Sequence, residues 1–144
     1  MRTVGCRGTT LIELLVVLFL IALISGLVGP PVAARLDKLS LQNTASSLAS
    51  ELRKAQASAR TKQSAVFMNY DNQEFRFFRQ SEEIASFKLP ASISVVGSVG
   101  TYVFLPSGQI VAPAPIDLKN ERGRIMRLKA STLDGIVVTS GDQG

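Results

Sequence analysis

A chain of 144 residues with 46% hydrophobic but only 6% aromatic residues is one domain's worth of polymer, weighted towards aliphatic helix and a modest sheet core. With no histidine and a single cysteine, Cys6, it lacks the commonest residues of zinc, haem and catalytic-triad sites and cannot form an internal disulfide. Of its 16 basic residues Arg2 and Arg7 lie in the first eight positions, and the remaining 14 against 11 acidic groups leave a mildly basic body of net charge +3.

The first element is apolar. From Leu11 to Val28 the sequence reads LIELLVVLFLIALISGLV, interrupted only by Glu13, Ser25 and Gly26. As a helix these 18 residues extend about 27 Å, close to the roughly 30 Å of bilayer hydrocarbon, so a single spanning helix is expected. Arg2 and Arg7, with no acidic residue among them, hold the N-terminus in the cytoplasm and send the rest of the chain outward. A carboxylate inside such a run costs about 2.5–3.5 kcal/mol at mid-membrane, less near the helix end, and so marks a functional position. Three readings compete. A cleaved secretory signal has a weak site at Val32-Ala33-Ala34, but its apolar stretch is normally shorter. A plain anchor explains the length and leaves Glu13 without a purpose. The third reading comes from the residues just before the span.

The stretch Gly8-Thr9-Thr10-Leu11-Ile12-Glu13-Leu14-Leu15, behind a short basic leader and ahead of Pro30, resembles the processing site of type IV pilin-like proteins. The resemblance implies that prepilin peptidase, a membrane aspartic peptidase, cuts between Gly8 and Thr9 on the cytoplasmic side and methylates the new amine. Thr9 stands where the family most often has Phe or Met. The resemblance also gives Glu13 an assembly role: in a filament its carboxylate meets the Thr9 amine of a neighbouring subunit. A paired charge is tolerable in a low-dielectric helix bundle and fixes register between otherwise slippery apolar helices.

Beyond the span, Gly29-Pro30-Pro31 is expected to kink or loosen the helix without ending it. Val32, Leu36 and Leu39, then Leu41, Ala45, Leu48, Leu52, Ala55 and Ala59, form an amphipathic stripe, which is expected to pack on the protein's own sheet, with a coiled-coil partner as the alternative. Asp37 near its start and Arg53, Lys54, Arg60 and Lys62 near its end suit the helix dipole. Strand patterns follow at Ala65–Tyr70, Glu74–Arg79, Ile84–Leu89, Ser92–Val96, Tyr102–Leu105, Ile110–Val111, Arg124–Lys129 and Ile136–Thr139. Turns are expected at Asp71-Asn72, Gly97 to Gly100, Pro106-Ser107-Gly108 and Asp134-Gly135, with Ala112 to Pro115 an irregular loop. Strands without intervening helices imply an antiparallel sheet, so the fold class is α+β: a long N-terminal transmembrane and amphipathic helix packed on a C-terminal β domain.

Leu48 to Val66, and Tyr102-Val103-Phe104-Leu105-Pro106-Ser107-Gly108-Gln109 with its Pro-Ser-Gly turn, resemble the minor pseudopilin family GspH/FimT of type II secretion. That implies residues 1–8 as leader, 9–29 as transmembrane and assembly helix, 30–65 as its amphipathic continuation and 66–144 as a periplasmic β-rich part. It implies a single-pass inner-membrane protein that later joins a periplasmic pseudopilus. The partners implied are membrane lipid, prepilin peptidase, the inner-membrane assembly platform and other pseudopilins, with no cofactor and no catalysis. A minor pilin of a type IV pilus, touching DNA, is the alternative; a conventionally secreted β domain is a third.

The remaining polar clusters carry less. Asp71-Asn72-Gln73-Glu74 lacks the ligand spacing and glycine of an EF-hand loop and reads as a hairpin turn, and Glu82-Glu83 as a solvated turn pair. Lys119, Arg122, Arg124, Arg127 and Lys129, opposed only by Glu121, could neutralise nucleic-acid phosphates. The plainer account is a solvated strand and loop face, and no aromatic residue is interleaved for base stacking.

Overall fold

The computed structural model describes residues 10–131 and 135–141, the side chains of residues 27–34 excepted. Helix α1 (Leu11–Lys62) is followed by strands β1 (Val66–Asp71), β2 (Glu74–Arg79), β3 (Glu82–Lys88), β4 (Ile93–Val96), β5 (Tyr102–Phe104), β6 (Ile110–Val111), β7 (Ile116–Asn120), β8 (Ile125–Ser131) and β9 (Gly135–Gly141). The chain divides into two compact units, Met1–Leu36 and Asp37–Gly144, with the boundary inside α1.

The helix starts at Thr10, whose carbonyl accepts from the amides of Glu13 at 3.0 Å and Leu14 at 3.2 Å. It continues through Gly29-Pro30-Pro31 as expected and stops after 52 residues. Its end is a Schellman arrangement without glycine: Gln63 has φ 47°, its amide bonds the Arg60 carbonyl, and the Ser64 amide reaches the Ala59 carbonyl at 3.2 Å. Arg60 and Lys62 in the last turn suit the negative pole of the helix dipole.

Among the described residues nine strands form two antiparallel sheets, one ordered β3-β2-β1-β5-β6 and one β4-β7-β8-β9. Alternation explains the pairing faces. In β1 and β2, Val66, Met68, Phe75 and Phe77 point inward, while Phe67 and Asn69 point out. Asn72 at φ 48° and Gln73 at φ 65° make the tight turn between them, the left-handed pair that a two-residue hairpin requires.

One core joins both sheets to the second part of α1. Leu41, Ala45, Leu48, Ala49, Leu52, Ala55 and Ala59 are buried with Phe75, Phe77, Tyr102, Phe104, Leu118 and Leu128. Polar ties run beside the apolar contact: Arg53 donates to the Ile136 carbonyl at 2.8 Å, Gln56 to the Gly108 carbonyl at 2.8 Å, and Arg79 to the Ser58 hydroxyl. The expectation that the stripe packs on the protein's own sheet holds from Leu41 onward.

Four expectations need correction. Leu36 and Leu39 stay 59% and 52% exposed. The step of two from Leu39 to Leu41 breaks the helical period, and at 100° per residue it sets Leu39 about 160° round the helix from Leu41. Asp37 lies deep within the helix rather than at its start, so the dipole does not account for it. Glu82 and Glu83 are not a turn pair but open β3, because Gln80 (φ 48°) and Ser81 (φ 76°) make the turn and β2–β3 pairing shifts register at Phe77/Phe78. Ile116–Asn120, missing from the expected strands, is β7, held between β4 and β8. The strand expected from Arg124 begins at Ile125, the loop at 112–115 is irregular as expected, and Asp134 lies outside the described residues.

Candidate functional site

The first candidate surface is the front of α1. Its large apolar side chains from Leu11 to Ile24 are all exposed, from 48% at Val17 to 83% at Leu11, so no face of this stretch is covered. Glu13, also exposed, sits in the first turn, where the positive end of the helix dipole favours a carboxylate. It is the sole charge from Leu11 to Gly26. Ser25 turns its hydroxyl back to the Ile21 carbonyl at 2.8 Å and so presents no free donor. Gly8 and Thr9, the expected cleavage and methylation pair, lie outside the described residues.

Among the described residues no helix is long and apolar enough to cross a membrane. Of the expected span from Leu11 to Val28, the side chains of Leu27 and Val28 lie outside those described.

The five basic residues of the second candidate do not form one site. Arg122 pairs through Nε with Asp37 Oδ2 at 2.6 Å, tying the β7–β8 turn to α1. Arg127 grips Asp117 with two bonds, Nε to Oδ1 and Nη2 to Oδ2, each 2.8 Å, and this holds the Asp117 carboxyl below the usual carboxylate range. Register explains the pair, because Asp117 faces Arg127 across β7 and β8. Lys119, Arg124 and Lys129 are exposed and have no ion pair among the described residues. Lys119 and Lys129 lie on the outer face of the second sheet, whereas Arg124 belongs to the turn. That turn is closed by Asn120, whose Oδ1 accepts from the Arg124 amide at 2.9 Å.

Two titratable groups elsewhere are shifted by their local contacts. The Tyr102 hydroxyl donates to the Ala114 carbonyl, and burial, aided by the Asp117 charge, pushes its pKa up to about 12. Glu74 is held low by hydrogen bonds from Arg76 and Ser86. No group of three or more His, Cys, Asp or Glu gathers as a metal site among the described residues, and Asp71 to Glu74 is a plain hairpin.

A long helix laid on antiparallel sheets, with an apolar front left bare, is the pilin-like α+β fold. No family model matches the chain, and no curated protein matches it. Among solved structures it is similar to the minor pseudopilin EpsH from the type 2 secretion system of Vibrio cholerae, with TM-score 0.55 and 12% identity over 72% of this chain and 99% of that one. At that identity the likeness is one of fold, and it does not reach the narrower GspH/FimT resemblance.

Proposed function

We propose that the chain is a minor pseudopilin of a type II secretion system, held first in the inner membrane by its apolar helix and then drawn into a periplasmic filament that drives protein export. The observation that carries this is the helix front: twelve large apolar side chains exposed on every side, with Glu13 alone among them. A monomer in water does not sustain such a surface. A helix apolar all round belongs in lipid or inside an assembly, and a filament drawn out of a membrane supplies both in turn. The likeness in fold to a minor pseudopilin supports the same reading.

In this account prepilin peptidase cuts after Gly8 and frees a cationic amine at Thr9. Glu13 of one subunit takes the amine of the next, which sets the axial step while Leu14 to Ile24 supply contact area. The inner-membrane assembly platform inserts the subunit, and the β part stays in the periplasm. The work is assembly rather than catalysis. No observation favours the DNA-contacting alternative, since two of the five basic side chains are already held by carboxylates.

The test is the N-terminus of the mature protein, read by mass spectrometry from cells that carry the prepilin peptidase. A chain starting at methylated Thr9, and uncut when Gly8→Val is introduced, is the expected result. A chain starting near Ala34 indicates an ordinary signal peptidase and overturns the proposal.

A further inference from the structure

The two sheets end in four edge strands, and three of them are blunted. β6 has two residues and β4 four. β3 carries Glu82, Glu83 and Lys88 and meets its neighbour across a register shift. β9 differs: seven residues, GIVVTSG, with no charge and no proline. A long uncharged edge is open to pairing with another chain unless something occupies it.

The hydrogen-bond pattern shows which groups are open. The Asn120 amide donates to the Arg124 carbonyl at 3.1 Å across the β7–β8 turn, and alternation along β8 then turns Ile125, Arg127 and Lys129 towards β9. Their partners Gly141, Thr139 and Val137 use their backbone groups on β8. Ile136, Val138 and Ser140 therefore direct theirs away from the sheet. Independently, the Ile136 carbonyl accepts from Arg53 of α1 at 2.8 Å, which requires it to face outward. Among the described residues the amides and carbonyls of Val138 and Ser140 have no such partner.

Among the described residues the surroundings of this edge are cationic. A cleft of about 370 Å³ opens where β9 ends, with Ser140 and Gly141 on one side, Lys38 and Arg124 at its rim and Leu41 and Met126 in its wall. Among the described residues no carboxylate lines it. Lys38, Gln42 and Arg53 fall on one side of α1 at helical spacing, so the helix brings positive charge to both ends of the edge.

We propose that the free edge of β9 accepts an extended acidic segment of a partner protein as an added strand of the second sheet, its carboxylates meeting Lys38, Arg53 and Arg124. Backbone pairing with Val138 and Ser140 supplies the binding and the cations supply the selection. The inference does not depend on the filament reading.

The probe is a short fluorescein-labelled peptide alternating Glu with Val and Thr, with a Lys-for-Glu control, titrated by anisotropy against the full chain in detergent micelles. The acidic peptide is expected to bind and to slow hydrogen exchange at the Val138 and Ser140 amides. Val138→Pro removes an outward amide that β8 does not use and should weaken binding about tenfold. Lys38→Glu with Arg124→Glu should lose the acidic peptide and gain the basic one. If Val138→Pro disturbs the sheet, exchange protection in the unaltered chain decides. No binding of the acidic peptide, equal binding of both peptides, unchanged exchange at Val138 and Ser140, or a second copy of the chain occupying the edge in sedimentation would each overturn the proposal.

Discussion

Leu48→Ala and Leu39→Ala test whether the division of α1 into a covered and a bare face is real. Both replace an identical side chain on one helix, so propensity cancels between them. Leu48 is 0% exposed and Leu39 is 52% exposed. Removing three carbons from a buried site forfeits about 2.4 kcal/mol of transfer free energy at roughly 0.8 per methylene. A cavity term adds to it, because Met68, Phe75 and Phe104 in the same cluster are anchored by sheet ladders and cannot close the gap. The total for Leu48→Ala comes to about 3–4 kcal/mol, within the usual range for such changes. For a domain near this size that lowers the melting temperature on the order of 15 °C. Leu39→Ala should stay within about 0.5 kcal/mol. Thermal unfolding of the full chain in detergent, followed by the β-sheet circular dichroism signal, measures both. Equal losses for the two variants, or a Leu48→Ala loss below about 1 kcal/mol, would refute the packing assigned to this helix.

Three further outcomes follow from particular contacts. Asp117, held low by Arg127, contributes stability that is present above the usual carboxylate pKa and lost as the pH falls below about 4. The pair is partly exposed, so the loss is under about 1 kcal/mol, and acid titration of melting temperature should fall less steeply for Asp117→Asn than for the unaltered chain. Gly108→Ala forces a φ of 89° on an alanine and sets its methyl against Arg60, costing about 1–2 kcal/mol, readable in the same melts; a neutral result would mean the turn relaxes freely. On the proposed function, Glu13→Ala should be cleaved and inserted normally yet fail to assemble, since a one-sided loss in a buried pair costs on the order of 3–5 kcal/mol. Crosslinking into filaments and export of the machine's substrate measure that, and normal incorporation removes the pairing role of Glu13.

Legibility in the sequence tracked the number of apolar residues that each element could show by itself. VFMNY and EFRFF, separated by Asp71 to Gln73, display alternation and a turn, and they became β1 and β2 with little adjustment. β7 reads IDLKN: two apolar residues among charges give no run, and only β4 and β8 on either side recruit it as a strand. Missing β7 also hid the nature of the basic stretch. Without its register nothing in the sequence aligns Asp117 with Arg127, and nothing local announces that Asp37 will reach Arg122. The turn at Gln80-Ser81 was illegible for a different reason, since neither residue is among the types that ordinarily announce a left-handed pair.

The two parts of α1 show why a bare periodicity argument is insufficient for a helix with one covered and one bare stretch. From Leu41 onward the buried positions alternate bulk with alanine: Ala45, Ala49, Ala55 and Ala59 fall beside Leu48 and Leu52. The small residues let the helix axis approach the strands, while the two leucines fill the space between Phe and Met side chains. Such a face can be specific because its partner is fixed in the same chain. On the proposed function the stretch from Leu11 to Ile24 first meets lipid, which has no fixed face, and it places Leu, Ile, Val and Phe on every side with no alanine stripe. Uniform apolarity sets no rotational or axial preference, so neighbouring helices in an assembly could slide. A single carboxylate in the first turn removes that freedom if its counter-charge sits at a fixed position on the next subunit, and Glu13 is the only residue from Leu11 to Gly26 that can do so.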